Sequence, residues 1–238
     1  MKAVVLVGGL GTRLRPLTFA VPKPLLAVGE KPILQLIIEQ LKKTGCHEII
    51  LATGYLAELI KAFCGDGSRF GVKLSYVREE QPLGTAGPLS LLRDRLARDE
   101  FFILMNGDVI TQLNFLDLLS FARHRDYDLT VGYVHYTYTS PFGVLTIENN
   151  EVVEIVEKPE VRHCISSGIY VLKGSVLDYI PDGQFFTVPN LIQKLQLCYR
   201  SVGAYHIKEF WLGVEDLGHI EKVRKSLNEH TLQPDECP

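Results

Sequence analysis

Lys2-Ala3-Val4-Val5-Leu6-Val7-Gly8-Gly9-Leu10-Gly11-Thr12-Arg13-Leu14-Arg15-Pro16-Leu17-Thr18 runs from a short apolar stretch straight into three glycines and two arginines. An apolar run this short, bounded by glycine, reads as a strand buried on both faces. In a parallel sheet the carboxyl end of such a strand opens onto a ligand crevice, so the glycine loop stands where a phosphate is held. Glycines let backbone N–H groups approach phosphate oxygens with no Cβ in the way, and Arg13 adds a fixed cationic fork. Two better-known phosphate loops do not fit. The dinucleotide fingerprint needs a glycine where Leu14 stands, and no Gly-Lys pair occurs anywhere in the chain to make a P-loop.

Downstream, Val21-Pro22-Lys23-Pro24-Leu25 brackets one lysine with two prolines, which fixes the backbone and lowers the entropy cost of presenting that cation near the first loop. Pro32 then occupies a first helical position, and Ile33, Leu34, Ile37, Ile38 and Leu41 recur at helical spacing until Gly45. The alternation predicts strands over 48–53, 72–77 and 101–105, with helices over 57–64 and 88–97. From Leu129 strands dominate, over 129–135, 144–148, 152–157 and 165–172, with Glu148-Asn149-Asn150-Glu151 as a hairpin turn. Helices over 189–197 and 218–227 follow, and 231–238 reads as a frayed tail. The fold class is therefore α/β: a doubly wound, mostly parallel mixed sheet with antiparallel strands added in the second half, in one domain over 1–230.

Composition narrows the partners. With 238 residues and 46% hydrophobic content, the chain has material for a large core, which rules out disorder as its main state. Its longest apolar runs fall far short of the roughly 18 residues that a membrane span needs. The amino terminus lacks the pattern of a secretory signal, so a cytoplasmic location is expected. A net charge of -3 with acids and bases interspersed offers no basic stripe for nucleic acid. Five cysteines with no C-x-x-C argue against a disulfide frame and a zinc site.

The run Gly8 to Thr18 followed by Pro22-Lys23-Pro24 resembles the signature of the sugar-1-phosphate nucleotidylyltransferases. The resemblance continues in order through Glu80-Gln81-Pro82-Leu83-Gly84-Thr85-Ala86-Gly87, Asn106-Gly107-Asp108, Glu157-Lys158-Pro159, Ser166-Ser167-Gly168-Ile169-Tyr170 and Trp211, and covers residues 1 to 228. It implies the Rossmann-like, glycosyltransferase-A form of the predicted sheet. It also implies transfer of a nucleoside monophosphate from a triphosphate to a sugar 1-phosphate, with release of pyrophosphate. A phosphate nucleophile is already an anion and needs no general base, which agrees with the lack of a nucleophile–base pair among the serines and histidines.

By the same resemblance Arg13, Lys23 and Asp108 are the catalytic residues, and Asp108 holds Mg²⁺. Gly8, Gly9, Gly11, Thr12, Gln81, Gly84 and Thr85 fall at nucleotide-binding positions. Asn106, Gly143, Glu157, Lys158, Ser166 and Gly168 fall at sugar-phosphate positions. The form Pro-Leu-Gly-Thr-Ala-Gly-Pro-Leu is similar to the mannose-1-phosphate guanylyltransferase branch, so GTP is the expected donor, with UTP, dTTP and CTP as alternatives. A homodimer is among the assemblies the resemblance implies.

Two departures stand out. Ser166-Ser167 replaces the usual Asn-Ala before Gly168. Where the family reads Trp-x-Asp-Ile-Gly-Thr, this chain reads Trp211-Leu212-Gly213-Val214-Glu215-Asp216, and Gly213 has no side chain for a cation. Either Glu215 or Asp216 reaches in, water fills the place, or the metal is held weakly. Acids there also suit a helix start. A noncatalytic subunit that binds nucleotide sugars is the alternative function.

Overall fold

In the computed structural model, which describes residues 1–228, the opening run is β1 (Lys2–Leu6), at the heart of a seven-stranded sheet. There follow β2 (Ala27–Val28), β3 (Lys31–Pro32), α1 (Ile33–Lys43), β4 (Glu48–Thr53), α2 (Ala57–Cys64), β5 (Lys73–Arg78), β6 (Phe101–Asn106), β7 (Val109–Thr111) and α3 (Phe115–His124). The second half adds β8 (Leu129–Thr139), β9 (Val144–Glu148), β10 (Glu151–Val156), β11 (Glu160–Lys173), α4 (Val188–Leu197), β12 (Val202–His206), β13 (Trp211–Gly213) and α5 (Leu217–Asn228). Strand order in the main sheet is β12-β8-β11-β6-β1-β4-β5. Within it β11 alone runs against its neighbours, β6 and β8. The expected mixed, mostly parallel sheet is what forms.

Both faces are covered, which explains why β1 carries no polar residue between Ala3 and Val5. One core joins Ala3 and Val5 to Ile33, Leu34 and Ile38 of α1, Ile60 of α2, Phe115 of α3 and Val223 of α5. The other joins Val4, Phe102 and Leu104 to Leu191 and Leu195 of α4 and to Leu89 and Leu92. No helix of the described residues is long and apolar enough to cross a membrane.

Several boundaries differ from those read in the sequence. The helix expected over 88–97 is a 3-10 turn, Gly87–Leu92. There Ser90 donates its hydroxyl to the Gly87 carbonyl, and Arg93 spends its guanidinium on the Leu177 and Ile180 carbonyls, so the segment is tied to the 174–183 loop instead of coiling further. Pro32 precedes α1 instead of starting it. β8 and β11 run well past the expected ends because they pair with each other out to Thr139 and Glu160. The β9–β10 hairpin stands off the main sheet with every residue exposed. Its Asn149 and Asn150 both take positive φ, 49° and 67°, as a tight hairpin turn requires. Cys46 and Cys64 are buried free thiols, Cys164 and Cys198 exposed ones. Cys237 and the 231–238 tail lie outside the described residues.

Phe102 has no exposed surface and sits in the middle of the second core. Phe102→Ala is expected to lower unfolding free energy by about 3–5 kcal/mol, read as a shifted urea midpoint at unchanged slope.

Candidate active site

β1 and β6 are parallel neighbours with Leu6 level with Asn106, so the loops they launch emerge side by side. The Gly107 N–H donates to the Leu6 carbonyl at 2.9 Å. A Cβ on Gly107 would come within 2.5 Å of that oxygen, so glycine is what allows the two loops to touch. Between them opens a cleft of about 460 Å³ walled by Gly8, Gly9, Gly11, Thr12 and Arg13 on one side and Asn106, Gly107 and Asp108 on the other. Lys23, Glu79, Gly84, Thr85, Phe185 and Glu215 also line it.

The glycine loop folds back on itself. Thr18 donates its hydroxyl to the Gly11 carbonyl at 2.9 Å, which brings the proline-bracketed turn beneath the loop. Lys23, only 16% exposed, then reaches Asp108 with Nζ 2.5 Å from Oδ2. At the open rim Arg13 meets Glu215 at 2.7 Å, with both side chains largely exposed. The neighbouring Asp216 does not reach in. Its Oδ1 accepts the His219 N–H at 2.9 Å and starts α5, the helix-start role open to it from sequence.

Gly84 takes φ +80°, and a Cβ there would lie 2.7 Å from the Phe186 carbonyl oxygen. That same oxygen accepts the Ala86 and Gly87 N–H groups, both at 2.9 Å. The Thr85 hydroxyl accepts the Val188 N–H at 2.9 Å, so this loop and the start of α4 hold one another. Gln81 lies beside the cleft, lining an adjoining hollow with Leu10, Tyr55 and Glu80.

Of the residues expected at the sugar phosphate, Asn106 walls the cleft and the others lie apart in two places. Gly168 packs on Asn106, where a Cβ would come 2.6 Å from Nδ2, and Ser166 hydrogen-bonds the Tyr170 hydroxyl at 2.8 Å. Gly143 lies against the Glu157 carboxylate beside the stand-off hairpin, and Lys158 next to it is exposed at φ +47°. None of Gly143, Glu157, Lys158, Ser166 and Gly168 walls the 460 Å³ cleft.

Sequence reading passed over Glu79. It is half-buried, accepts the Leu83 N–H on Oε2 at 2.8 Å, and presses Oε1 against Gly8, where a Cβ would be 2.4 Å away. Burial pushes its carboxyl above the usual carboxylate range. The available signal was an acid placed just beyond the carboxyl end of a parallel strand.

Magnesium suits this donor set in one specific way. Among the described residues no three His, Cys, Asp or Glu side chains converge as a cage. Asp108 offers one partly exposed carboxylate to the cleft, the arrangement for an ion that takes its other ligands from phosphates and water. Gly213 lies across from Val109 in the β13–β7 pair, and the Val214 N–H donates to the Asp108 carbonyl at 2.8 Å. A Cβ on Gly213 would make only ordinary contact, 3.6 Å from the Trp211 ring, so there is room for the carboxylate this chain lacks.

Residues 2–221 match the Nucleotidyl transferase family. The chain belongs to that family. A probable mannose-1-phosphate guanylyltransferase 1 of Oryza sativa subsp. japonica is 45% identical over 188 residues, covering 76% of this chain and 52% of the relative. Mannose-1-phosphate guanyltransferase beta-B of Xenopus laevis is 41% identical over 226 residues, covering 90% of this chain and 61% of the relative. The chain thus spans between half and two thirds of the length of these nucleotidyl transferases. Among solved structures, HddC from Yersinia pseudotuberculosis superposes with a TM-score of 0.75 at 26% identity, covering 95% of this chain and 99% of that one. Its complex with GMP-PN superposes with a TM-score of 0.73 at the same identity and coverage.

In this member of the family the raised Glu79 carboxyl has a consequence for stability. The folded state binds the proton more tightly than the unfolded state, so the contribution of Glu79 is most favourable at low pH and worsens as pH rises through its folded-state value. Glu79→Gln, which keeps an acceptor for Leu83, is therefore expected to raise the melting temperature at pH 7–8. The gain should shrink toward pH 4 in a series of thermal scans.

Proposed function

We propose that the protein transfers the guanylyl group of GTP to a sugar 1-phosphate, mannose 1-phosphate foremost, and releases pyrophosphate. The observation that carries this reading is the convergence of Arg13, Lys23 and Asp108 on a glycine-walled cleft at the carboxyl ends of two parallel strands. The mannose-1-phosphate guanylyltransferases among its relatives support the choice of base and sugar.

A sugar-phosphate oxygen attacks the α-phosphorus. The bond from that phosphorus to the bridging oxygen breaks, and its electron pair leaves with pyrophosphate. No proton needs to be removed from the nucleophile, so the residues' task is to line up two polyanions and hold them against their mutual repulsion. The amides of Gly8, Gly9, Gly11 and Thr12 cradle the phosphates, Lys23 serves the α-phosphate and Arg13 the departing pyrophosphate. Gln81, Gly84 and Thr85 bound the nucleoside. Lys158 holds the sugar phosphate, with Asn106, Gly143, Glu157, Ser166 and Gly168 around the sugar. Asp108 would hold Mg²⁺, which when bound neutralises charge on the triphosphate.

Gly213 favours a second reading, a noncatalytic subunit that binds the nucleotide sugar. Pyrophosphate release from each of four nucleoside triphosphates, with a panel of sugar 1-phosphates and Mg²⁺, separates the two. Turnover with GTP and mannose 1-phosphate supports transfer, whereas tight product binding with no turnover in any pairing supports the subunit. Asp108→Asn is expected to lower turnover by at least about a hundredfold while the protein still unfolds in one cooperative thermal transition, at a lower temperature. Gly213→Asp should lower the Mg²⁺ concentration needed for half-maximal rate by about tenfold.

A further inference from the structure

Besides Glu79, whose carboxylate is turned to Leu83 and Gly8, four charged side chains line the cleft as two neutral pairs, Lys23 with Asp108 at 2.5 Å and Arg13 with Glu215 at 2.7 Å. The cations suited to phosphate and the carboxylates suited to a metal ion therefore already satisfy one another. A metal-free triphosphate finds both cations engaged and two carboxylates beside them. A bare divalent ion finds both carboxylates engaged. When the two arrive as one complex, every side chain can exchange its partner, phosphate oxygens for Arg13 and Lys23 and the ion for the acids.

We propose that Glu215 stands in for a phosphate at Arg13, so that the crevice admits the triphosphate as its divalent-metal complex and discriminates against the metal-free nucleotide. The inference rests on the nucleotide reading given above and goes beyond it by assigning a role to Glu215. Gly213 has no side chain to offer, and Glu215 is the acid that lines this rim of the cleft. Its backbone is held for the purpose: the Glu215 N–H donates to His219 Nδ1 at 3.2 Å while Asp216 accepts the His219 N–H, which leaves the Glu215 side chain to reach back to Arg13. The contact is also weak enough to yield. Arg13 is 72% exposed and Glu215 58%, whereas Lys23 and Asp108 are far more enclosed. An exposed pair of this kind shifts an equilibrium by about two- to fivefold.

Calorimetric titration with a non-hydrolysable GTP analogue, once in EDTA and once with Mg²⁺, tests the proposal. Glu215→Gln is expected to bind the analogue about two- to fivefold more tightly than wild type in EDTA. The extra affinity conferred by Mg²⁺ should correspondingly shrink. In an Arg13→Gln background, adding Glu215→Gln should leave the EDTA affinity unchanged, because the relief runs through Arg13. Unchanged or weaker EDTA binding by Glu215→Gln overturns the proposal, and so does an equal gain in the Arg13→Gln background, the mark of simple long-range repulsion. Wild type that binds no analogue even with Mg²⁺ would overturn the nucleotide reading itself, and this proposal with it.

Discussion

Lys23 and Asp108 meet although 85 residues separate them, and the rest of the cleft is arranged around that contact. The carboxylate is set by the end of β6, the amine by a proline-bracketed turn that the glycine loop holds from above. An ammonium as enclosed as this one would be costly without a partner, and a carboxylate beside phosphates would be repulsive without a cation. Placed together, the two groups let the empty cleft hold charge without destabilising the sheet that carries it. The pair is also positioned by the parallel ladder of β1 and β6, whose central side chains are buried on both faces.

The two sides of the crevice are built differently. The side built on the glycine loop is cross-tied: Gly107 to Leu6, Gly11 to Thr18, Gly84 to Phe186, Thr85 to Val188. At Gly107, Gly11 and Gly84 the tie is a close approach that a Cβ would obstruct, and at Thr85 it is a hydrogen bond from the Val188 N–H to the side-chain hydroxyl. The side proposed for the sugar phosphate depends on β11, the one reversed strand of the sheet, and on a hairpin that makes no ladder with it. The paired charges Lys23 and Asp108 lie on the first side, and the exposed hairpin residues on the second.

Much of this was legible in the sequence where local pattern and tertiary outcome coincide. The bounds of α2 and β4 follow from apolar spacing, and the Asn149-Asn150 turn from residues that tolerate positive φ. Arg13, Lys23 and Asp108 come together where the strand-end argument places them. The helix expected over 88–97 was not legible as a 3-10 turn, because Arg93 is drawn off by carbonyls some ninety residues away, and no local signal carries that. Glu79 escaped notice for a related reason. Its environment is made by Gly8, distant in sequence and adjacent only once β4 pairs with β1 on one side and β5 on the other. The exchange of Glu215 for Asp216 at the cleft rim likewise depends on His219, a helix-start detail that the two acids alone do not reveal.

Trp211 is the chain's single tryptophan. Its indole N–H donates to the Ser167 carbonyl at 2.8 Å, while its strand is laddered to the one that follows Asp108. One ring therefore bridges the acid-bearing edge and the reversed strand. The molecule carries a built-in optical gauge at the seam between its two halves, and a change in emission would register a shift of either half relative to the other without any attached dye.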